Sequence, residues 1–317
     1  MDNLGEVKGE KIFVGLSGGV DSAVTAALLQ QAGARVTGMF IKGWYPPGMP
    51  CTWALDRRDA MRVAARLSIP FATLDASTEY KLGVIDYLLA EYRAGRTPNP
   101  DVMCNREVKF GAFYRYAMAQ GADFIAMGHY TGGPKDQRYF LWAVPKEALA
   151  KTIFPLGSMS KREVRALAKH FDLPVAGKRD SQGICFLGSV SIKDFLRSEI
   201  GNSPAVLHTI GERVAGRYVV SKDLVTGEIE VAPSLRSTQT IRFGQENRLA
   251  PWDGPLMAQY RYHGPLMKGL VDPSSDEGST RPFTFTPDTP LLESPAPGQS
   301  IVFYKNDELV GGAIIGG

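Results

Sequence analysis

The chain has 317 residues, 44% of them hydrophobic and 22% charged, with a formal net charge of +3. That length suits about two domains, and that composition excludes wholesale disorder. No apolar run reaches the roughly 18 residues that a membrane-crossing helix needs, and residues 1–11 lack the apolar stretch of a secretory signal. A cytoplasmic protein with no membrane partner is the expectation. Three cysteines, Cys51, Cys104 and Cys185, are too few and odd in number for a disulfide scaffold. There is no CxxC pair and there are only four histidines, which excludes a zinc site of the usual spacing. The charge is uneven: residues 1–204 carry +6 and residues 205–317 carry −3, so a polyanion would favour the first two-thirds.

Residues 11–16 (KIFVGL) predict a buried strand, and residues 22–31 place Ala23, Ala26, Ala27 and Leu28 at helical spacing. A strand over 35–41, a helix over 56–67, a strand over 70–74 and a helix over 78–94 follow. A helix over 106–120 and a strand over 124–127 continue the alternation, which implies a parallel sheet with crossover helices. Ser160-Lys161-Arg162-Glu163 fits a capping box at the start of a helix ending near His170, with Pro174 beyond it. Ser191 and Asp194 open a similar helix over 191–200. After residue 204, Val, Thr, Tyr and Phe alternate with polar residues over 217–220, 228–231, 238–243, 257–262, 282–285, 300–304 and 310–315. Turn signals such as Thr226-Gly227 and Asn306-Asp307 separate these runs, residues 272–278 form a polar loop, and no internal repeat is visible. The expected fold is α/β plus β: a Rossmann-like parallel-sheet domain over 1–204, a reduced middle segment over 205–235 and a C-terminal β-barrel over 236–317.

Ser17-Gly18-Gly19-Val20-Asp21-Ser22 joins the first strand to the first helix. Glycines allow tight turning, and the open N–H groups at a helix start point at a bound anion. The loop suits a phosphate or pyrophosphate. It is neither GxGxxG nor a Walker A loop, because GxxxxGK[ST] and its lysine are missing. SGGxDS resembles the pyrophosphatase loop (PP-loop) of the adenylating ATPases. That resemblance implies that Gly15, Leu16, Ser17, Gly18, Gly19, Val20, Asp21 and Ser22 bind ATP. It also implies that the α–β bond is cleaved and that Asp21 helps hold Mg²⁺ against the leaving pyrophosphate. Met39, near the end of the second strand, lies where the adenine is expected. On chemistry alone a methionine there is more often a core residue.

Two further strings carry thiols. Arg96-Thr97-Pro98-Asn99-Pro100-Asp101-Val102-Met103-Cys104-Asn105 is a proline-stiffened loop ending at Cys104. Asp180-Ser181-Gln182-Gly183-Ile184-Cys185-Phe186-Leu187-Gly188 sets Cys185 between glycines, which permit close approach of a substrate. Taken in order, GLSGGVDS, GRTPNPDVMCNREVKFGAF, GHY, KDQRYFLW, DSQGICFLG, YRYHGP and PGQSIVFY resemble the tRNA-specific 2-thiouridylase family along almost the whole chain. The resemblance implies ATP-dependent 2-thiolation of the wobble uridine of tRNA, through adenylation of O2. It makes Cys185 the persulfide-bearing cysteine, loaded by a sulfur donor such as a cysteine desulfurase relay. The terminal sulfur attacks C2, directly or after release as hydrosulfide, and Cys104 either closes a disulfide with Cys185 or attacks the base. Asp101, Cys104 and Cys185 could instead hold an Fe–S cluster with one oxygen ligand, although such sites more often use thiolates alone. Cys51 reads as a structural thiol.

By the same resemblance Asn99, Pro100 and Asp101 line the pocket for the flipped-out uridine. Gly128 approaches the nucleotide, and His129, Lys135, Asp136, Gln137, Arg261, Tyr262 and Gln299 contact the tRNA. The residue types fit: Lys and Arg bind phosphates, Tyr stacks, and Gln reads base edges. Read alone, His129 is more often a satisfied polar residue and Arg261 a solvated strand residue, while Tyr139, Phe140 and Trp142 read as core. Two departures stand out. Only residues 131–134 separate GHY from KDQ, where the family carries a hairpin. Residues 206–220 resemble a shortened central domain in which Thr209-Ile210-Gly211-Glu212-Arg213 stands for TIGQR and KGLG is lost. Glutamate for glutamine at 212 and the lost KGLG remove positive charge from an expected RNA-facing loop, so weaker or differently oriented tRNA binding is expected. The alternatives are an adenylating sulfur transferase acting on another tRNA position or a small molecule, and a tRNA-binding protein without catalysis. Intact SGGVDS, Cys104 and Cys185 speak against the second. An ammonia-using ligase would not need two cysteines in these segments.

Overall fold

The computed structural model describes residues 6–46, 53–179, 191–272 and 283–316. Cys51, Cys185 and most of the polar loop 272–278 lie outside them. The chain forms two compact units, one from Met1–Gly83 and Cys104–Ser189, the other from Val84–Met103 and Val190–Gly317. Composition suggests a three-part division of the chain; these units partition it differently, because residues 84–103 join the later part.

In the first unit the apolar run at the start becomes strand β1 (Lys11–Gly15). Ile12 and Val14 on one face and Phe13 on the other are buried, so the strand is covered on both faces, as a parallel strand requires. It pairs in parallel with β2 (Arg35–Lys42) on one side and β4 (Phe124–Ala126) on the other. β3 (Phe71–Asp75) and β5 (Thr152–Ile153) extend the sheet to the order β3-β2-β1-β4-β5. Helix α1 (Val20–Gln31) is buried along most of its length, including Ala23, Val24, Ala26 and Leu29. Helix α2 (Trp53–Arg66) buries only the stripe of Ala60, Val63 and Ala64, as an amphipathic surface helix does. Strand order reverses at β1, and in open α/β sheets ligands bind at the carboxyl ends of the strands at such a switch point.

Two long helices expected from the 3.6-residue period are broken. Residues 78–94 form α3 (Ser77–Tyr80), a π-type stretch Lys81–Asp86 and α4 (Tyr87–Arg93). A short helix α5 (Pro100–Met103) precedes a π-type stretch Cys104–Ala112, which runs into α6 (Phe113–Ala119). Wider π turns rotate side chains off the faces that an α-helical period assigns, and they are frequent at functional sites. After α7 (Lys146–Ala150), the capping box is formed at α8 (Lys161–His170): Ser160 Oγ accepts from the Glu163 amide, and Glu163 accepts from the Ser160 amide at 2.7 Å.

In the second unit Ser191 caps α9 (Ile192–Ile200), and α10 (Pro204–Leu207) follows. The reduced middle segment holds a three-stranded antiparallel sheet of β6 (Arg213–Val214), β7 (Arg217–Lys222) and β8 (Ile229–Ala232). Six more strands close into an antiparallel barrel. These are β9 (Ile241–Arg248), β10 (Leu256–Gln259), β11 (Met267–Val271), β12 (Phe283–Pro287), β13 (Ser300–Lys305) and β14 (Glu308–Ile315), in the order β10-β11-β12-β9-β14-β13. Phe243, Phe285 and Phe303 fill its interior, and Trp252 donates its Nε1–H to the Val310 carbonyl at 2.9 Å. β11 is absent from the sequence reading because Gly269 interrupts its alternation, and a central glycine weakens a strand signal. Among the described residues no helix is long and apolar enough to cross a membrane.

Ser160→Ala removes the Oγ half of the capping box, while the backbone amide at position 160 can still donate to Glu163. It should lower stability by about 1 kcal/mol, read as a shift of the urea midpoint.

Candidate active site

Burial of β1 delivers residues 17–22 at the sheet's switch point. Gly18 has φ +77°, and a Cβ there would lie 2.3 Å from the Asp56 carbonyl oxygen, so only glycine fits. Ser22 Oγ donates to the Gly19 carbonyl at 3.1 Å and accepts from the Ser17 amide at 3.2 Å, which closes the loop on itself. Gly19 is the N-cap of α1, and among the described residues no side chain caps the helix, so its first turn is oriented for an anion. Gly128 packs against the loop: a Cβ there would stand 3.1 Å from the Ser22 nitrogen. Gly15 ends β1, and the Leu16 amide donates to the Met39 carbonyl at 2.8 Å. Met39 itself is fully buried in β2.

Three residues that sequence reasoning did not assign to the site surround the loop. Tyr130 OH donates to Asp21 Oδ1 at 2.9 Å, and Lys161 Nζ donates to Asp21 Oδ2 at 2.5 Å while lying over the Tyr130 ring. Lys178 Nζ donates to the Gly18 carbonyl at 3.1 Å, to Asp56 at 2.9 Å and to Asp59 at 2.8 Å. Burial pulls the Lys178 ammonium down, but its bonds to Asp56 and Asp59 outweigh this and hold it above the ordinary lysine value. The loop lacks a Walker lysine, yet two lysines from later in the chain stand beside it. Their only sequence signals were a capping-box position and nearness to the Cys185 string. Among the described residues no cluster of three or more His, Cys, Asp or Glu could hold a metal. Mg²⁺ is commonly held by one or two carboxylates together with substrate phosphates, so Asp21 fits that role provided Lys161 yields its oxygen.

Cys104 opens the π-type stretch as a half-buried thiol. The next residue, Asn105, is buried and donates to the Phe140 carbonyl at 2.9 Å, and Lys109 donates to Asn105 Oδ1 at 3.0 Å. His129 is only 9% exposed. It packs against Phe110 and Phe154, and its buried Nδ1 has no hydrogen-bond partner among the described residues. Burial first, and the charge of Lys109 second, hold its pKa well below 6.5, so the ring is neutral. In the KDQ string, Gln137 Oε1 accepts from the Tyr130 amide at 3.1 Å, which braces the tyrosine that holds Asp21. Asp136 is clamped by Arg138 at 2.8 Å, and Lys135 stands exposed. Tyr139 and Trp142 are core residues, as their type suggests.

In the second unit Asn99 Oδ1 accepts from the amides of Asp101 at 3.1 Å and Val102 at 3.4 Å, so it caps α5 and leaves the Asp101 side chain exposed. Arg261 pairs with Glu293 at 2.9 Å in the turn after β10, and the Tyr262 ring lies tilted close to that of His263. The strand expected over 257–262 ends at Gln259, which puts both residues in that turn. Gln299 Nε2 donates to the Thr97 carbonyl at 2.6 Å. Glu212 pairs with Lys193 at 2.5 Å and with His208 at 3.1 Å, so it engages two neighbouring side chains besides subtracting a charge. Burial raises its pKa, but those bonds and the Thr209 amide bring it below the ordinary value.

The parallel sheet with SGGVDS at its switch point defines an ATP-using PP-loop domain. Residues 10–189 match the family model described as the tRNA methyl transferase HUP domain, and residues 251–315 match the aminomethyltransferase beta-barrel domain. The chain is 38% identical to the tRNA-specific 2-thiouridylase MnmA of Akkermansia muciniphila, over 95% of this chain and 97% of that protein. It is 38% identical to that of Marinomonas sp., over 96% and 91%, and 45% identical to that of Christiangramia forsetii, over 62% and 56%. The chain belongs to the tRNA-specific 2-thiouridylase family. The Akkermansia alignment spans 352 positions, more than the 317 residues present here, so that relative carries segments this chain lacks.

A folded-state pKa below 6.5 means that folded His129 binds fewer protons than unfolded histidine. Its contribution to stability is therefore complete above that value and is lost as pH falls below it, at up to about 1.4 kcal/mol per pH unit. Between about pH 7.5 and 5.5 the wild type should lose more thermal stability than His129→Phe. Equal losses in parallel melts would contradict the assignment.

Proposed function

We propose that the protein transfers sulfur to C2 of the wobble uridine of tRNA, with ATP activating O2. The observation that carries this reading is the SGGVDS loop at the sheet's switch point, flanked by Lys161 and Lys178, in a chain matching 2-thiouridylases over nearly its full length. The loop amides and the two lysines bind the phosphates of ATP. Uridine O2 attacks the α-phosphorus and pyrophosphate leaves; Asp21 would hold a Mg²⁺ ion, which would neutralise the charge of the leaving group. AMP on O2 then becomes the leaving group. Cys185 carries the sulfane sulfur as a persulfide supplied by a partner donor. Its terminal sulfur attacks C2 and expels AMP. Cys104 thiolate then attacks the Cys185 sulfur, which leaves sulfur on C2 and a Cys104–Cys185 disulfide for an external reductant to restore. Asn99, Pro100 and Asp101 receive the flipped base. The reaction belongs to the cytoplasm, where tRNA and a desulfurase relay meet.

The first test is single-turnover thiolation of unmodified tRNA transcripts by anaerobically purified protein, with ATP, Mg²⁺ and a persulfide source. Iron is quantified in the same preparation. 2-Thiouridine at the wobble position, detected by mass spectrometry without iron, is the expected result. Product that tracks with iron would move Asp101, Cys104 and Cys185 to cluster ligands, and ATP consumption without thiolated uridine would point to another substrate.

Cys185→Ser should abolish product while leaving tRNA affinity within about twofold. Asp21→Ala should abolish tRNA-dependent ATP–pyrophosphate exchange; persisting exchange would remove Asp21 from the adenylation step.

A further inference from the structure

We propose that Lys161 and the divalent cation are alternative partners of one Asp21 oxygen, and that the phosphates of the nucleotide decide between them by drawing the lysine off. This rests on the reading of Asp21 as the metal-holding carboxylate given above.

Both oxygens of Asp21 are engaged. Oδ1 accepts from Tyr130 OH at 2.9 Å, and Oδ2 accepts from Lys161 Nζ at 2.5 Å. Mg²⁺ binds oxygen ligands at about 2.0–2.1 Å and keeps several waters around it. An ammonium on Oδ2 therefore excludes the ion by volume and by charge. The neighbouring acids are engaged too: Asp56, beside Gly18, and Asp59 pair with Lys178 at 2.9 and 2.8 Å. Among the described residues no group of three or more His, Cys, Asp or Glu could hold a metal by itself. Phosphate oxygens must complete the cation's shell. Without them the protein offers one carboxylate that already faces a positive charge.

The surroundings of Lys161 let it change partners. It is the first residue of α8, whose start is fixed by the Ser160–Glu163 capping box. The helix dipole disfavours a cation at that end, so the ammonium depends on anions outside its own helix. Its four-carbon stem is flexible. Nζ lies 5.1 Å from the centre of the Tyr130 ring, a face that attracts a cation without fixing its direction. Tyr130 itself is buried and braced by Gln137. The lysine can swing across a stationary ring while the Tyr130 hydroxyl keeps Asp21 in place. Lys161 and Asp21 are each about a quarter exposed, which keeps the net strength of their pair low. A polyphosphate presents several negative charges against the one on Asp21, and charge-assisted bonds to phosphate are strong. Transfer of Lys161 to the phosphates frees Oδ2 for the cation, so Asp21 faces a positive partner before and after the exchange.

The test uses Mn²⁺ as a spectroscopic substitute for Mg²⁺. Wild type, Lys161→Gln and Lys161→Gln combined with Asp21→Asn are titrated without nucleotide, with free Mn²⁺ read by electron paramagnetic resonance. ATP affinity is measured separately in EDTA. Lys161→Gln should bind Mn²⁺ roughly tenfold more tightly than the wild type, because a positive neighbour is gone, and the double variant should lose that gain. In EDTA, Lys161→Gln should bind ATP roughly tenfold more weakly. A lysine that merely packed against the loop would not tighten metal binding when removed. No gain in Mn²⁺ affinity, a gain that survives Asp21→Asn, or an unchanged ATP affinity overturns the proposal. Should Lys161→Gln fail to fold, acetylation of the wild type decides. Metal-free ATP should protect Lys161 from acetic anhydride, and Mg²⁺ alone should leave its reactivity unchanged; the absence of protection, or release of the lysine by Mg²⁺ alone, overturns the proposal. None of these measurements uses tRNA, so a wild type that makes no 2-thiouridine defeats the functional reading and leaves this test intact.

Discussion

The burial of β1 is the constraint on which the first unit depends. A strand that buries Ile12 and Val14 on one face and Phe13 on the other is covered on both faces, and it is paired on both edges. That arrangement places β2 and β4 on opposite sides and sends the chain out of β1 at the one point where neighbouring connections diverge. The loop emerging there has nowhere to bulge: the Asp56 carbonyl closes the space beside Gly18, and Gly128 closes the space beside Ser22. The Asp21 carboxylate then receives its partners from 109 and 140 residues away, at Tyr130 and Lys161.

The ionic contacts around this loop matter for arrangement more than for stability. Lys161 and Asp21 are each about a quarter exposed, and pairs of that kind contribute little net free energy. Their effect is to keep a cation and a carboxylate side by side where a polyphosphate would arrive. Lys178 is similar, with two carboxylates from α2 holding its charge against the Gly18 carbonyl. Glu212 follows the same logic in the second unit. Its carboxylate engages Lys193 and His208, so the one negative charge it brings in place of a glutamine is set against neighbouring side chains.

Local chemistry was legible wherever a pattern is self-contained. The strand–loop–helix at residues 11–31, the capping box at Ser160 and the alternating strands of the barrel follow from periods and caps that involve only near neighbours. The helices over 78–94 and 106–120 were misread because π winding is set by packing, as where Gly83 lies against Glu107, and leaves no distinct hydrophobic period. β5 is two residues long, too short to show a period at all.

The sequence by itself determined the chemistry available: a glycine-rich loop for phosphates, two thiols in distinctive strings, and an α/β half followed by a β half. Those properties are carried by contiguous residues, whose types and spacing survive without a fold. Only the tertiary structure decided who stands beside whom. Tyr130, Lys161 and Lys178 reach the phosphate loop from separate segments, and His129 is packed among aromatic rings. Gln299 turns its amide onto Thr97, 202 residues earlier in the chain. Such pairings arise because a buried core brings distant segments to one place, and a hydrogen bond between them leaves no mark on the residues near either partner in sequence.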